Sequence, residues 1–225
     1  MPKRANAAAH EGRTSAFSRL HMHRKTHWEE VYATKASDEV SWFQAEPTLS
    51  LALLQEVGSG ASSTVIDVGG GDSRFVDAVI AEGLGHVTVL DISRAALTRA
   101  QTRLGTRADD VTWLEADITQ VALPANAFDV WHDRAVFHFL TEPLDLARYA
   151  AAAATAVRSG GALLIFTFAP DGPTRCSGLA TVRYAPEEIA EELGDSFEFV
   201  RGFAMIHHTP SAREQRFSVA VLRRR

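Results

Sequence analysis

The stretch VIDVGGGDSRFVDAVIAEG, residues 65–83, places three consecutive glycines between a branched apolar run and a segment with helical spacing. The apolar run predicts a buried strand, and the apolar positions between Ser73 and Glu82 predict a helix. The glycines predict a tight loop that joins the two elements. In a parallel sheet such a loop lies at the carboxyl end of the strand, where ligands bind, so the stretch raises the question of which ligand it receives.

Strand-like runs and helical patterns continue to alternate along the chain. In chain order they are TVIDVG with Ser73–Glu82, HVTVLDI with Arg94–Leu104, VTWLEADI, FDVWHD with Leu144–Val157, and GALLIFTFA with Pro186–Leu193. The alternation predicts an α/β fold in which a parallel sheet lies between two layers of helices. The last two runs, FEFVRGFAMIHH and QRFSVAVLRR, are too close together for a crossover helix. We therefore expect them to form an antiparallel hairpin at one edge of the sheet.

The composition limits the class of protein. With 225 residues, of which 46% are hydrophobic, the chain can bury the core of one α/β domain. Cys176 is the only cysteine, which excludes a disulfide-stapled secreted scaffold, and no apolar run reaches the length of a membrane span. We therefore expect a cytoplasmic protein without a membrane partner. His21, His23 and His27 lie close together without a cysteine or carboxylate to complete a ligand set, so we expect no metal site.

The residues around the glycines bear on three possibilities: a nucleotide pyrophosphate, a sulfonium cofactor and a loop that binds nothing. A dinucleotide site favours Gly-x-Gly-x-x-Gly, but the sixth position counted from Gly69 is Arg74. Asp67 and Asp72 flank the glycines, and their carboxylates would repel a pyrophosphate in a partly desolvated cleft. They would instead attract the ammonium and sulfonium groups of S-adenosylmethionine. Because glycines also serve tight turns that bind nothing, this loop alone leaves the three possibilities open.

Two further carboxylates follow the next strand-like runs. Asp91 ends HVTVLD, roughly 20 residues after the loop, where a carboxylate can accept both hydroxyls of a ribose. NAD would use the same residue. Asp117 ends the third run, where it can accept a hydrogen bond from an adenine amino group while the backbone N–H of Ile118 meets the ring. This third position favours S-adenosylmethionine over NAD.

Four segments, VIDVGGGDS, VLDIS, EADI and FDVWHDR, in this order and spacing resemble the cofactor motifs of class I S-adenosylmethionine-dependent methyltransferases. The resemblance covers residues 64–170 and extends to the end of the chain through the last two strands. It implies a Rossmann-like fold with a mostly parallel seven-stranded sheet, an antiparallel C-terminal strand and helices on both faces. It also implies an enzyme that uses S-adenosylmethionine as its cofactor.

The resemblance carries a set of cofactor-binding residues onto the matching positions. They are Asp67, Gly69, Gly70, Gly71, Asp91, Ile92, Asp117, Ile118, Asp133 and Arg134. Gly69 and Gly71 would approach the methionyl part, and Asp67 would lie near its ammonium group. Ser73 is a departure, since the family often has a third glycine at this position.

The resemblance and the charge distribution together predict three regions. Residues 1–27 are basic and poor in apolar residues, which predicts a disordered leader; a nucleic-acid arm and a transit peptide are the alternatives. Residues 28–60 are expected to form an N-terminal cap and a helix. Residues 61–225 are expected to form the methyltransferase domain that binds S-adenosylmethionine.

Methyl transfer from a good leaving group requires alignment and exclusion of water rather than one fixed catalytic residue. His138, after the fourth strand, is the candidate catalytic residue, as a base or as a positioning group. Further candidates for a lid or for the acceptor pocket come from the N-terminal segment and from the segments after the fourth and fifth strands. They are Trp28, Tyr32, Trp42, Phe137, Cys176, Arg183 and Tyr184.

The predicted function is transfer of a methyl group to a small-molecule nucleophile, which could be a thiol, an amine, a hydroxyl or a carboxylate. A protein lysine methyltransferase is the first alternative, because the acidic domain would suit a basic partner. A non-catalytic module that binds S-adenosylmethionine is the second. HDRA stands where enzymes that methylate nucleic-acid amino groups carry an Asn-Pro-Pro-Tyr type of sequence, so we expect no nucleic-acid partner. We expect a monomer or a homodimer.

Overall fold

The computed structural model describes residues 23–225. Most of the predicted basic leader lies outside the described residues. The described chain begins within a helix, α1, which ends at residue 34. Residues 23–27 are therefore helical, and the predicted boundary after residue 27 falls inside α1.

Nine strands and five further helices follow α1. The helices are α2 (Thr48–Glu56), α3 (Phe75–Glu82), α4 (Arg94–Leu104), α5 (Pro143–Ala156) and α6 (Pro186–Leu193). The strands are β1 (Thr64–Val68), β2 (His86–Asp91), β3 (Thr112–Glu115), β4 (Phe128–Arg134), β5 (Val157–Phe168), β6 (Arg175–Cys176), β7 (Leu179–Ala180), β8 (Phe197–His208) and β9 (Glu214–Arg224). Short 3-10 helices span Ser37–Glu39, Gly105–Asp110 and Phe137–Phe139. The predicted bounds of α4 and α6 agree with these, whereas the small β6–β7 hairpin lies in a segment for which no strand was predicted.

Seven of the strands form one sheet in the order β3-β2-β1-β4-β5-β9-β8. β1 pairs in parallel with β2 on one side and with β4 on the other, so the strand order reverses at β1. β9 runs antiparallel to both β5 and β8, and β8 forms the edge. The predicted fold class and the predicted edge hairpin are confirmed.

The two faces of the sheet bury separate halves of the core. On β4, the side chain of Trp131 faces α5, where its Nε1 donates to the hydroxyl of Tyr149 at 2.8 Å. The next side chain, His132, faces the other layer and stacks on Phe75 with ring centroids 4.0 Å apart. This alternation is the ordinary period of a strand that is buried on both faces. Within residues 23–225, no helix is both long enough and apolar enough to cross a membrane.

Candidate active site

A cavity of about 810 Å³, its mouth included, lies at the carboxyl edge of the sheet where the strand order reverses. Its walls come from strand ends, from α1 and from the segments after β4 and β5. The lining residues include Trp28, Tyr32, Trp42, Gly69, Asp91, Ile92, Asp117, Ile118, Arg134, Phe139 and Cys176. This edge of the sheet is where open α/β folds bind ligands.

Asp91 brings a nearly buried carboxylate to the cavity at the end of β2. Its Oδ1 accepts a hydrogen bond from the Ser93 backbone N–H at 2.8 Å, and the Ser93 hydroxyl caps α4. Burial, with a smaller contribution from the carboxylates of Asp67 and Glu29, raises the pKa of Asp91 to about 7 against the lowering effect of the Ser93 hydrogen bond. A carboxylate in this state gains from additional donors, which the hydroxyls of a ribose would supply.

Asp117 and Ile118 lie at the cavity wall after β3. The Asp117 Oδ1 accepts hydrogen bonds from the backbone N–H and the hydroxyl of Thr119, both at 2.8 Å. These bonds fix the turn, so that the carboxylate and the Ile118 backbone stand beside Ile92 at the same end of the cavity as Asp91. The arrangement fits the adenine-binding role that the resemblance implies.

The glycine loop passes so close to its neighbours that side chains are excluded. Gly69 has φ +66°, and a Cβ there would overlap Val136. Gly71 has φ +47°, and a Cβ there would lie 2.9 Å from both the Asp91 Oδ2 and the Tyr32 hydroxyl. Gly70 lies against the Asp67 carboxylate. The loop therefore presents bare backbone to the cavity at Gly69, as a closely approaching ligand requires.

Asp67 belongs to a buried chain of side chains beneath this loop. Its Oδ1 lies 2.7 Å from the His132 Nδ1, and the His132 Nε2 lies 2.9 Å from the Ser50 hydroxyl. Among residues 23–225 the buried Oδ2 has no hydrogen-bond partner. An unpaired buried carboxylate oxygen is costly, so this atom fits a cationic ligand group. Sequence reasoning missed His132, although its place opposite Asp67 on the neighbouring strand is the signal that could have found it.

An aromatic roof covers the cavity, formed by Trp28, Tyr32, Trp42 and Phe139. The Trp28 ring lies 5.2 Å from that of Phe139 and 5.7 Å from that of Trp42, both edge to face. The three predicted lid residues are thus brought together over the cavity, and Phe139 is a fourth member that sequence reasoning missed. A cluster of aromatic rings excludes water, and an aromatic face attracts cations such as a sulfonium.

Glu29 attaches the roof helix to the rest of the domain. Its carboxylate accepts hydrogen bonds from the backbone N–H groups of Arg94 at 2.8 Å and Ala95 at 3.0 Å, at the start of α4. A carboxylate at a helix N-terminus satisfies unpaired donors and complements the helix dipole. Arg24 adds an ion pair with Asp145 at 2.5 Å. Glu29, together with Arg24 five residues before it, therefore holds α1 across the cavity mouth.

Asp133 and Arg134 occupy different environments at the end of β4. Asp133 is fully buried and does not line the cavity; its Oδ2 accepts from the Tyr149 hydroxyl at 2.6 Å and its Oδ1 from the Val136 N–H at 2.9 Å. The predicted cofactor contact of Asp133 is corrected, because its side chain points to the α5 face and fixes the following loop. Burial raises its pKa to about 6. Arg134 does line the cavity, and its Nη1 donates to the Trp42 carbonyl at 2.7 Å.

His138 is fully buried beneath the cavity rather than at its rim. Its ring stacks on Phe168 with centroids 4.3 Å apart, and neither ring nitrogen has a hydrogen-bond partner among the described residues. Burial, with a contribution from the Arg134 cation, lowers its pKa to about 3. The predicted position facing the methyl group is therefore wrong. Phe137 and Tyr184 also lie in the core, with ring centroids 5.2 Å apart, and not in the cavity wall as predicted.

Cys176 and Arg183, the two remaining candidates for the acceptor pocket, lie in different places. Cys176 lines the cavity from β6 with a buried side chain, and burial raises the pKa of its thiol to about 11. It therefore contributes an apolar thiol surface at neutral pH. Arg183 is exposed, donates to the Pro170 carbonyl at 2.8 Å, and lies outside the cavity. Within residues 23–225, no three His, Cys, Asp or Glu side chains are arranged to hold a metal ion.

The part of the chain that forms most of this cavity is similar to known proteins. Residues 66–165 match the model of a methyltransferase domain family. The match supports a class I S-adenosylmethionine-dependent methyltransferase domain over residues 66–165. The resemblance found in the sequence motifs is thereby confirmed, and the matched range includes every strand end from β1 to β4.

One relative in sequence and two solved structures are similar to this chain. An uncharacterized methyltransferase of Mycobacterium tuberculosis is 34% identical over 118 residues, 52% of this chain and 56% of that protein, so the match spans about half of the relative. An Anabaena variabilis S-adenosylmethionine-dependent methyltransferase shares the fold, with a TM-score of 0.69, 13% identity and coverage of 92% and 95% of the two chains. Another is a Burkholderia thailandensis 1,6-didemethyltoxoflavin-N1-methyltransferase, solved with its substrate and S-adenosylhomocysteine, at TM-score 0.63, 21% identity and coverage of 100% and 92%.

Proposed function

We propose that the chain transfers a methyl group from S-adenosylmethionine to a small-molecule nucleophile. The observation that carries the proposal is the roofed cavity at the carboxyl edge of the sheet, in which the carboxylates of Asp91 and Asp117 stand at one end beside the bare backbone of Gly69. Asp91 would hold the ribose, Asp117 with Ile118 the adenine, and the unpartnered Oδ2 of Asp67 the ammonium group. The cofactor would supply a methyl group on its sulfonium: the nucleophile would bond to the methyl carbon as the carbon–sulfur bond breaks, and S-adenosylhomocysteine would be the leaving group.

The chain's own residues align the two reactants and keep water out. The aromatic roof closes the cavity above the carboxylates, and its ring faces favour a positively charged sulfur. The histidine of the segment after β4 has a pKa far below neutrality and no contact with the cavity, so no general base is assigned to it. Proximity and exclusion of water are sufficient sources of rate for this type of displacement.

A small acceptor is favoured because α1 lies across the mouth of the cavity, held by Glu29 and Arg24. A polypeptide that presents a lysine would have to pass this helix. The neighbour from Burkholderia thailandensis, whose match covers the whole length of this chain, is a methyltransferase with 1,6-didemethyltoxoflavin bound, and it supports a small-molecule acceptor.

The first experiment is titration calorimetry of the full chain with S-adenosylhomocysteine, with exposed Asp110→Ala as a control and Asp91→Ala as the site variant. We expect binding by the wild type and the control and much weaker binding by Asp91→Ala. Turnover is then measured with methyl-labelled cofactor against a panel of thiols, amines, hydroxyls and carboxylates, beside a desalted protein fraction. Label in a small molecule supports the proposal, label in protein lysine supports the first alternative, and binding without any transfer leaves only the cofactor-binding module.

A further inference from the structure

The guanidinium of Arg134 has an unmet hydrogen-bonding requirement at the cavity wall. Its Nη1 donates to the Trp42 carbonyl at 2.7 Å, and the group lies over the Phe217 ring, 5.4 Å from its centroid. Its Nη2 is buried and has no hydrogen-bond partner among residues 23–225. One end of the guanidinium is thus fixed, while the other carries donors that no described group satisfies.

Arg134 differs in this respect from Arg24, the other guanidinium that lines the cavity. Arg24 is paired with the Asp145 carboxylate at 2.5 Å, whereas Arg134 forms no ion pair with any described residue. Burial lowers the pKa of Arg134 to about 10, partly opposed by the Asp67 carboxylate, so the group stays cationic at neutral pH. A buried charge without a counter-ion is destabilising, and an incoming anion would remove the penalty.

The place of Arg134 along the sheet edge indicates which reactant brings that anion. Asp117 and Asp91 follow β3 and β2, on one side of the glycine loop. Arg134 ends β4 on the other side, and its neighbours there are Cys176 from β6 and Phe217 from β9. Because the proposed function places adenosine on the β2–β3 side, Arg134 lies on the side that the methionyl part and the acceptor share. The nucleophile must reach the methyl group from this side, in line with the carbon–sulfur bond.

We propose that the methyl acceptor is a small, flat anion, such as an aromatic carboxylate, whose negative group is held by the Nη2 side of Arg134. This inference rests on the proposed function and specifies its substrate class. The aromatic rings of Trp42 and Phe139 form the cavity wall beside the guanidinium, so an apolar ring fits next to the charged contact. The free Nη2 of the guanidinium suits a carboxylate oxygen as the acceptor of a charge-assisted hydrogen bond.

The test uses benzoate and benzamide, which share a shape and differ in charge, as probes of the complex with S-adenosylhomocysteine. Calorimetry should show that the wild type binds benzoate at least about tenfold more tightly than benzamide. Arg134→Met should reduce this ratio to within about twofold, and Arg134→Lys should keep part of it. Arg216→Met is the matched control, because Arg216 is an exposed arginine in a surface ion pair with Asp171. The melting temperature of Arg134→Met should not fall, since the variant loses an unpaired buried charge.

Equal binding of the two probes by the wild type, or binding of neither, would overturn the proposal. A second experiment tests whether Arg134 instead binds the carboxylate of the cofactor's own methionyl part. If Arg134→Met weakens S-adenosylhomocysteine but leaves 5′-methylthioadenosine unchanged, Arg134 holds the methionyl carboxylate and the proposal is also overturned. Failure of the proposed function gives a different result, in which the wild type binds neither S-adenosylhomocysteine nor S-adenosylmethionine.

Discussion

The two ends of the cavity differ in charge and in how the chain builds them. At the end that we propose to bind adenosine, called the adenosine end, Asp91 is the last residue of β2 and Asp117 follows β3, and each carboxylate accepts a hydrogen bond from a backbone N–H two residues later. At the end that we propose to bind the acceptor, called the acceptor end, Arg134 is fixed by the carbonyl of Trp42 and by the Phe217 ring, from distant parts of the chain. At the adenosine end, neighbouring residues in the chain position each carboxylate, and the same hydrogen bond recurs at the ends of β2 and β3. The acceptor end depends on the tertiary packing of the N-terminal segment and the C-terminal hairpin.

The largest loss of cofactor affinity is expected from a substitution in the glycine loop, which lies between the two ends. Gly69→Ala should weaken binding of S-adenosylhomocysteine by at least about a hundredfold, because the new Cβ would overlap Val136 and displace the backbone that meets the ligand. Gly83→Ala is the matched control, since Gly83 has φ +62° with open space around it. It should cost about 1 kcal/mol of stability and leave binding unchanged. Calorimetry and thermal unfolding measure both, and equal loss of affinity in the two variants would contradict the close approach.

The next effect tests the adenosine end itself. Asp91→Ala should weaken S-adenosylhomocysteine by about ten- to a hundredfold, since charge-assisted hydrogen bonds contribute about 1.5–3 kcal/mol. Asp110→Ala, at an exposed carboxylate, should leave the affinity within about twofold of the wild type. The dissociation constants are measured by calorimetry, with circular dichroism as the check that both variants are folded. Unchanged affinity in a folded Asp91→Ala would remove Asp91 from the site.

The raised pKa of Asp91 predicts a pH dependence for the same end. Ribose hydroxyls donate to the ionised carboxylate, so binding requires the form that is lost as the pH falls through about 7. The dissociation constant of 5′-methylthioadenosine, which lacks the ionisable amino acid group, should therefore be about tenfold higher at pH 6 than at pH 8. Asp91→Asn should abolish the difference. A wild-type constant that is flat over this range would show that Asp91 is ionised well below pH 6 or makes no contact.

The sequence predicted that Asp91, Asp117 and Ile118 lie together, because parallel strands bring the residues at their carboxyl ends to one edge of the sheet; their contact with adenosine stays a prediction. The sequence could not predict the acceptor end, because there the direction of single side chains determines which residues line the cavity. The 3-10 helix after β4 has three residues per turn, so Val136 and Phe139 face the cavity together while His138 turns into the core. Asp133 was misplaced for a similar reason, because strand alternation points it toward α5 and leaves Arg134 in the cavity wall.

The aromatic roof covers both ends of the cavity, and a substitution at Glu29, which attaches α1 to α4, should have a smaller effect. Glu29→Gln keeps the side-chain shape but weakens the two hydrogen bonds to the start of α4, so we expect about fivefold weaker binding of S-adenosylhomocysteine. Hydrogen exchange at residues 23–34 should become faster in the same variant. Glu30→Gln, at the exposed neighbouring position, is the control and should change neither. Normal affinity in Glu29→Gln together with faster exchange would mean that α1 can loosen without opening the site.

The smallest effect is expected at His138, on the core side of the acceptor end. Because its pKa is lowered to about 3, the imidazole is neutral throughout the range from pH 5.5 to 8 and cannot titrate there. His138→Asn should therefore keep the affinity for S-adenosylhomocysteine within about twofold, and the pH–rate profile with the acceptor found by the panel should keep its shape. The stacked contact with Phe168 is lost, so a lower melting temperature is expected in place of a catalytic defect. A neutral limb that disappears from the profile, with kcat lower by a hundredfold or more, would instead establish His138 as a base and require the segment after β4 to rearrange when the acceptor binds.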